Sequence, residues 1–175
     1  MKTKIIFIGL IIFSILFSCE KIDKLVTFFV DDQSEILIES SIPFSLPIEI
    51  PTPEITTNSE EEFKNNGTKT NLVKDVYLSE LKLSIVKPKN KTFSFLKTIH
   101  IYIRTNDSDE IELAYQNNIS SDSKTINLIT KDSRLDKYIK SYSYKLRTEV
   151  TTKETLTQDI SIIVNMRFKV TAHPY

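Results

Sequence analysis

The segment Ile160–Ala172, with the sequence ISIIVNMRFKVTA, decides the fold of this chain. Its apolar residues occupy every second position, and they are Ile160, Ile162, Val164, Met166, Phe168, Val170 and Ala172. A period of two is typical of a β-strand with one buried face, because successive side chains point to opposite sides of a sheet. The alternation predicts a long central strand that crosses the body and bends at a β-bulge. We expect Phe168 to lie in the core and Lys169 to face solvent.

Four further segments show the same alternation, which predicts a strand with an apolar inward face in each of them. The segments are 42–50, 81–85, 98–105 and 142–150. Their inward sets are Ile42, Phe44, Leu46, Ile48 and Ile50; Leu81, Leu83 and Ile85; Ile99, Ile101 and Ile103; and Tyr142, Tyr144, Leu146 and Val150. Two weaker strands are predicted at 111–115 and 125–129. An apolar pair, Phe28-Phe29, predicts the inner half of a first strand, with contact to lipid or to a partner as the alternative.

Three prolines mark segment 42–50 as an edge strand. Pro43, Pro47 and Pro51 all occupy odd positions, so the three missing N–H donors fall on the same edge of the strand. That edge cannot hold a continuous hydrogen-bond ladder, and proline on an edge also blocks aggregation between sheets. We therefore expect this segment at the border of a sheet.

Two short helices complete the secondary structure. The acidic turn at 60–64 follows a capping residue, Asn58 or Ser59, and the segment 134–141 follows Asp132 or Ser133. Seven or eight short strands joined by Asn-, Asp- and Ser-rich loops predict an all-β fold. We expect one immunoglobulin-like two-sheet β-sandwich domain over residues 25–175, with a small β-barrel as the alternative.

The composition is that of a folded globular chain of one domain. The chain has 175 residues, of which 40% are hydrophobic and 26% are charged. Its 23 basic residues balance its 23 acidic residues. The chain therefore lacks the excess of positive charge that is typical of proteins that bind nucleic acids. One Cys and two His exclude an intrachain disulfide and leave too few ligands for a multi-cysteine or His-rich metal site.

A short apolar run follows the first charged residues. Lys2 and Lys4 precede thirteen residues, 5–17, that carry no charge. A membrane-spanning helix needs about 20 apolar residues, so this run is too short to cross a bilayer. Its length is that of the hydrophobic region of a secretory signal peptide.

The run ends in Leu16-Phe17-Ser18-Cys19, which resembles the lipobox of bacterial lipoproteins. The small residue Ser18 precedes the single Cys of the chain, while Phe17 is bulkier than the usual residue at its position. The resemblance implies cleavage between Ser18 and Cys19 and lipidation of the Cys19 thiol. Residues 1–18 are then a cleaved signal peptide, and residues 19–24 are a short lipidated tether. The alternative is that Cys19 is a buried thiol at the start of the domain.

No group of residues predicts catalysis. The two histidines are His100, on the outward face of a predicted strand, and His173, the third residue from the end. Beyond the apolar run, Gly67 is the one glycine, so neither a Gly-x-Ser-x-Gly elbow nor a phosphate-cradling loop can form. We therefore expect a non-enzymatic protein with no catalytic residue, no bound metal and no cofactor.

The run 106–110 alternates oxygen-bearing side chains, as a calcium loop does. Its carboxylates belong to Asp107, Asp109 and Glu110. It lacks the Gly and the distal Glu of an EF-hand, and it lies between two predicted strands, where such residues make ordinary turns. We expect a turn here, with calcium binding by the three carboxylates as the alternative.

The outward side chains of segment 98–105 form a candidate recognition surface. His100, Tyr102 and Arg104 alternate with the buried isoleucines of this strand. Tyr and Arg are enriched at the energetic centres of protein interfaces. The alternative is that this face is covered by a sheet edge or a loop, or is simply solvated.

The whole chain resembles small outer-membrane lipoproteins with a β-sandwich body. The lipobox carries the specific part of this resemblance, while segments 81–85, 93–103 and 160–172 match only in their general pattern. The resemblance implies a lipid-anchored protein of the cell envelope that serves as an interaction or accessory subunit and docks on another envelope protein. The alternative is a surface module for ligand binding or adhesion, for example one that captures glycan for a nutrient importer. Periplasmic and surface-exposed locations both stay open.

Overall fold

The computed structural model of this protein describes residues 24–40 and 45–175. These residues form ten β-strands, two short α-helices and two 3-10 turns. In chain order the elements are β1 (Val26–Ile38), β2 (Ile48–Pro51), β3 (Ile55–Thr56), α1 (Ser59–Asn65), a 3-10 turn (Thr70–Leu72), β4 (Val73–Lys87), a 3-10 turn (Phe93–Phe95), β5 (Leu96–Arg104), β6 (Ile111–Gln116), β7 (Thr125–Asn127), β8 (Ile129–Thr130), α2 (Asp136–Ile139), β9 (Ser143–Thr152) and β10 (Ile160–Ala172).

The strands form two antiparallel sheets. Sheet A has the order β1-β10-β4-β7, and sheet B has the order β2-β9-β5-β6-β8, with β3 also paired to β9. The chain passes between the two sheets several times, and the tightest of these crossings is at the buried Leu128, which alone separates β7 from β8. The prediction of an all-β, two-sheet sandwich with short helices is confirmed, and within residues 24–40 and 45–175 the strands do not close into a barrel.

The strand β10 lies inside sheet A, between β1 and β4. All seven residues of its predicted inward set are buried. Phe168 is fully buried, and its ring contacts that of Tyr144 from sheet B edge-on, with 6.5 Å between the ring centroids. Lys169 is exposed. The predicted register of this strand and the face assignment of Phe168 are therefore confirmed.

The long strand β4 is the main feature that the sequence pattern missed. Only residues 81–85 were expected to be a strand, whereas β4 spans Val73–Lys87. Three register shifts against β10 leave single residues of β4 unpaired, at Lys74, Ser79 and Val86. At each extra residue, the inward-facing side chains change from odd to even positions or the reverse. The strand therefore continues through residues 73–87 although its apolar alternation is interrupted. A β-bulge was expected on β10, but the bulges that interrupt this pairing lie on its partner strand β4.

Segment 42–50 is confirmed as an edge strand only in its second half. The strand β2, which ends at Pro51, lies at the border of sheet B and pairs with β9. Leu46 was expected to point inward but is exposed, because Ser45 adopts a positive φ of 66° and forms a turn. Residues 41–44, including Pro43, lie outside the described residues.

Tyr142 was also assigned to a buried face, and that prediction is wrong. Its side chain is 82% exposed because it precedes β9, at the turn after α2. Both predicted helices are present: α1 is slightly longer than the predicted segment 60–64, and α2 is shorter than the predicted segment 134–141. Phe63 of α1 packs edge-on against Phe28 of β1, with 6.1 Å between the ring centroids. The pair Phe28-Phe29 lies in the first strand as predicted, but only Phe28 faces the core, whereas Phe29 is exposed on the outer face.

The first prediction concerns the register of β10. Replacing Phe168 by Ala should lower the free energy of unfolding by about 3–5 kcal/mol, because it removes a fully buried ring between the two sheets. Replacing the exposed Lys169 by Ala should lower it by less than about 0.5 kcal/mol. Urea denaturation of both variants checks the prediction. Equal damage from the two changes would show that the faces of β10 are assigned the wrong way round.

Candidate functional site

The predicted recognition residues share the outer face of sheet B. Ile99, Ile101 and Ile103 of β5 are buried between the sheets. The side chains that alternate with them are His100, Tyr102 and Arg104, and all three are half-buried on the opposite face. We call this face, with the outward side chains of the flanking strands β6 and β9, the polar face. The structure therefore brings the three predicted residues together in one row.

Tyr102 lies beneath an arginine of the neighbouring strand. Arg147 is its register partner on β9, and the guanidinium carbon is 4.0 Å from the centroid of the Tyr102 ring. The same guanidinium donates to both carboxylate oxygens of Glu110 from Nε, at 2.9 and 3.0 Å, and to Glu49 at 2.8 Å. Such forked contacts hold the guanidinium plane in one orientation. Desolvation, together with the negative charges of Glu149 and Glu112, raises the pKa of Tyr102.

His100 lies in a second network beside the first. Its Nδ1 is 2.6 Å from Glu112 and its Nε2 is 3.1 Å from the side-chain oxygen of Asn117. The imidazole stacks on the ring of Tyr115, with 5.8 Å between the centroids. The ammonium of Lys131 lies 4.4 Å from the centroid of Tyr115 and 2.9 Å from Glu112. Desolvation opposes ionisation of Glu112, but hydrogen bonds from Lys131 and His100 outweigh it and lower the pKa of this carboxyl.

The acidic run beside Arg104 forms a turn. The carboxylate of Asp109 accepts hydrogen bonds from the backbone N–H groups of Thr105 and Asn106, at 2.9 and 3.0 Å, and from the Thr105 hydroxyl. The Nζ of Lys137 is 2.7 Å from the same carboxylate, whose side chain is only 7% exposed. Desolvation opposes ionisation, yet these hydrogen bonds outweigh it and hold the pKa of Asp109 well below its usual range.

The three carboxylates proposed as calcium ligands do not converge. Asp107 is 97% exposed and pairs with Arg104 at 3.1 Å. Asp109 faces Lys137, and Glu110 faces Arg147. Each carboxylate has its own cationic partner, so the geometry is that of a turn. Within the described ranges, no three His, Cys, Asp or Glu residues are grouped as metal ligands.

The sequence did not identify the residues that organise the polar face. Arg147, Glu112, Tyr115 and Lys131 belong to three other strands or loops, and nothing in the linear pattern shows that they meet β5. One signal was available, because Arg147 alternates with the buried residues of segment 142–150 and is therefore outward. Only the strand order β9-β5-β6 brings these side chains together.

The lipidation site lies outside the described residues, as do Ser18, Cys19 and the apolar run before them. In the part of the chain that the structure describes, no helix has the length and apolar character needed to cross a membrane.

No protein family and no curated protein matches this chain. One similar solved structure bears the description "Structural basis for the promiscuous specificity of the carbohydrate-binding modules from the beta-sandwich super family". The match covers 85% of this chain and 57% of the other chain, with 12% sequence identity and a TM-score of 0.27. This chain therefore matches less than two thirds of that one, and the likeness carries no argument about what this chain binds.

The second prediction concerns the acid sensitivity of the Asp109 turn. Replacing Asp109 by Asn should destabilise the protein by about 1–3 kcal/mol at pH 7, because it weakens charge-assisted hydrogen bonds to a buried carboxylate. The folded pKa of Asp109 lies below its ordinary value of 3.8, so its stabilisation is complete well above pH 3.8 and is lost as the pH falls further. Wild type should therefore lose more stability than Asp109→Asn between neutral and acidic pH.

Urea midpoints measured as a function of pH check this, with Asp107→Asn as the matched control because its side chain is almost fully exposed. If the control and Asp109→Asn showed the same pH profile, the turn would not depend on the Asp109 carboxylate.

Proposed function

We propose that this chain is a lipid-anchored, non-enzymatic interaction or accessory subunit of the bacterial cell envelope, held at the outer membrane. The lipobox-like segment Leu16-Phe17-Ser18-Cys19 after a charge-free run is the observation that carries the proposal. A single acyl chain gives only marginal binding to a bilayer, whereas the two or three chains of a lipoprotein hold it stably, at about 0.8 kcal/mol per buried CH₂.

The position of the first strand fits an anchor at Cys19. The strand β1 begins at Val26, so six residues lie between the proposed lipidated Cys19 and the first strand, and seven Cα–Cα steps join the two. At about 3.3–3.6 Å per residue, this tether reaches no more than about 25 Å when fully extended. The sandwich then stays close to the bilayer, with the end that contains the start of β1 turned toward it.

The polar face gives such a subunit a surface for a partner. It presents fixed cations, carboxylates and tyrosine hydroxyls from three strands, and the charges of Arg147 and Glu112 are held in place by their neighbours. Fixed and complementary charges give specificity and faster association more than raw affinity. We propose another envelope protein as the partner on this face.

The third prediction concerns the anchor. Replacing Cys19 by Ala should abolish metabolic labelling with a clickable palmitate analogue, because the thiol that accepts the lipid is removed. The matched control is Ser18→Ala, which keeps a small residue before the cysteine and should retain labelling. Undiminished labelling of Cys19→Ala would exclude the proposed anchor.

Glycan capture is a second candidate function, supported by the hydrogen-bonding groups and rings of the same face. His100, Asn117 and Glu112 offer donors and acceptors next to Tyr102 and Tyr115. The two rings are covered by Arg147 and Lys131, so a sugar must displace these cations before it can stack.

The fourth prediction separates the two functions on a glycan array. If glycan capture is the function, the protein should bind defined glycans, and Tyr102→Ala should reduce binding by about tenfold or more through loss of the stacking ring. Lys82→Ala, on the outside of sheet A, is the matched control and should leave binding unchanged. An array without signal would leave protein docking as the function of this face.

A further inference from the structure

The edges of the two sheets differ greatly in length. Within residues 24–40 and 45–175, sheet B is bordered by β2 and β3, of four and two residues, and by β8, of two residues. Sheet A is bordered on one side by β7, of three residues. Short edge strands are one way in which proteins avoid unwanted pairing. The other border of sheet A is β1, which has 13 residues.

The strand β1 is regular along its whole length. All 13 residues pair with β10, from Val26 with Ala172 to Ile38 with Ile160, and no register shift interrupts them. In contrast, β4 carries three shifts on the other side of β10. Bulges and prolines are the usual devices that make an edge unsuitable for a further strand. The strand β1 has neither, and no strand in the described part of the chain pairs with its second edge, although β2 approaches it near Leu37. This edge therefore offers an even row of backbone donors and acceptors.

The chemistry of this edge is acidic. The segment Val26–Ile38 contains Asp31, Asp32 and Glu35 and has no basic residue. Asp31 and Asp32 lie at its centre, and their side chains point to opposite faces of sheet A. The side chain of Asp31 is 67% exposed, with Arg167 of β10 at 3.5 Å as its cationic neighbour.

Asp32 points inward, toward sheet B, and is half-buried. It accepts a hydrogen bond of 2.8 Å from the hydroxyl of the buried Tyr144, which belongs to sheet B. No cation within 4 Å pairs with Asp32 in the described part of the chain. A half-buried carboxylate with one neutral donor is poorly compensated, and a further positive charge beside it would be favourable.

A second copy of this chain does not suit the edge. Full antiparallel overlap of two β1 strands is centred on Asp32, the middle residue of Val26–Ile38, and places the two Asp32 side chains directly opposite each other. Like charges in that position are destabilising, and here they are also half-buried. The acidic centre therefore disfavours self-pairing and favours a strand of opposite charge.

We propose that the free edge of β1 binds an extended segment of a partner protein, which adds an antiparallel strand to sheet A and carries basic residues opposite Asp31 and Asp32. Backbone hydrogen bonds supply affinity in this mode of binding, and the charge pairs supply register and selectivity. A depression of about 430 Å³ adjoins the edge, and its lining includes the carboxylates of Asp31 and Glu80 as well as the cations of Lys82 and Arg167. It leaves room for a long side chain on the outer face, and a basic one would face the carboxylates. The site goes beyond the proposed function, because it lies on the sheet opposite the polar face.

The experiment uses the full chain in detergent micelles and two short synthetic peptides of alternating Thr and Val. One peptide carries Lys-Lys at its centre and the other carries Glu-Glu. Hydrogen–deuterium exchange read by mass spectrometry should show slower exchange in Val26–Ile38 with the Lys-Lys peptide only. The strand β5 of the polar face should exchange as before. Binding should weaken as salt is added, because the Asp31 contact is exposed.

Two variants test the charges. Asp31→Asn should weaken binding of the Lys-Lys peptide about tenfold, as expected for one lost charge-assisted contact, while the urea midpoint stays near that of wild type. Asp32→Asn keeps an oxygen acceptor for Tyr144 and should weaken binding by a similar factor. Glu39→Gln, just beyond the strand, is the matched control and should bind as wild type does.

Three outcomes would overturn the proposal. One is unchanged exchange in β1, and another is equal binding of the two peptides. The third is a concentration-dependent dimer, in sedimentation velocity, whose β1 is protected without any peptide, because that result would assign the edge to a second copy. None of these outcomes bears on lipidation of Cys19, so failure here is distinct from failure of the proposed anchor.

Discussion

Sheet A depends on the burial of one face of β10. The inward residues of this strand fill the centre of the sandwich, while its two edges are paired to β1 and β4. Because the side-chain period of a strand is two, a slip of one residue would expose the whole apolar face. The contact between Phe168 and Tyr144 then fixes the position of β10 relative to β9 of sheet B. Burial on β10 thus determines the pairing of the strands beside it and the distance to the opposite sheet.

The polar face is fixed by a different kind of force. Isolated ion pairs on a protein surface contribute little, typically about 0–1 kcal/mol. Here the side chains of Arg147 and Glu112 are half-buried, and each has several partners. The conformational entropy lost in fixing one of these side chains is therefore offset by more than one contact. The result is a surface whose charges keep their positions when no partner is bound. That property lowers the entropy lost on binding, and it suits recognition of a polar surface better than of an apolar one.

How far the sequence predicts this structure depends on whether a feature is local. The strands β5, β9 and β10 follow from unbroken alternation, and the outward placement of His100, Tyr102 and Arg104 follows from the same phase. The first half of β4 could not be recognised, since each bulge reverses the phase that the pattern relies on. The partners of the predicted recognition residues could not be recognised either. Arg147 reaches Tyr102 only because β9 pairs with β5, and strand order is a property of the whole fold.

The pairing of β1 with β10 also determines when the protein can fold. Val26 of β1 pairs with Ala172 of β10, so these two residues are 146 positions apart in the sequence (172 − 26). Contacts of such long sequence separation must close a large loop before they contribute any energy, which slows folding. Because β10 lies between β1 and β4, these two strands cannot join in one sheet until residues 160–172 have been synthesised, and within the described residues β4 has only the short β7 as its other partner. The four-stranded sheet A can therefore be completed only after β10 has been synthesised.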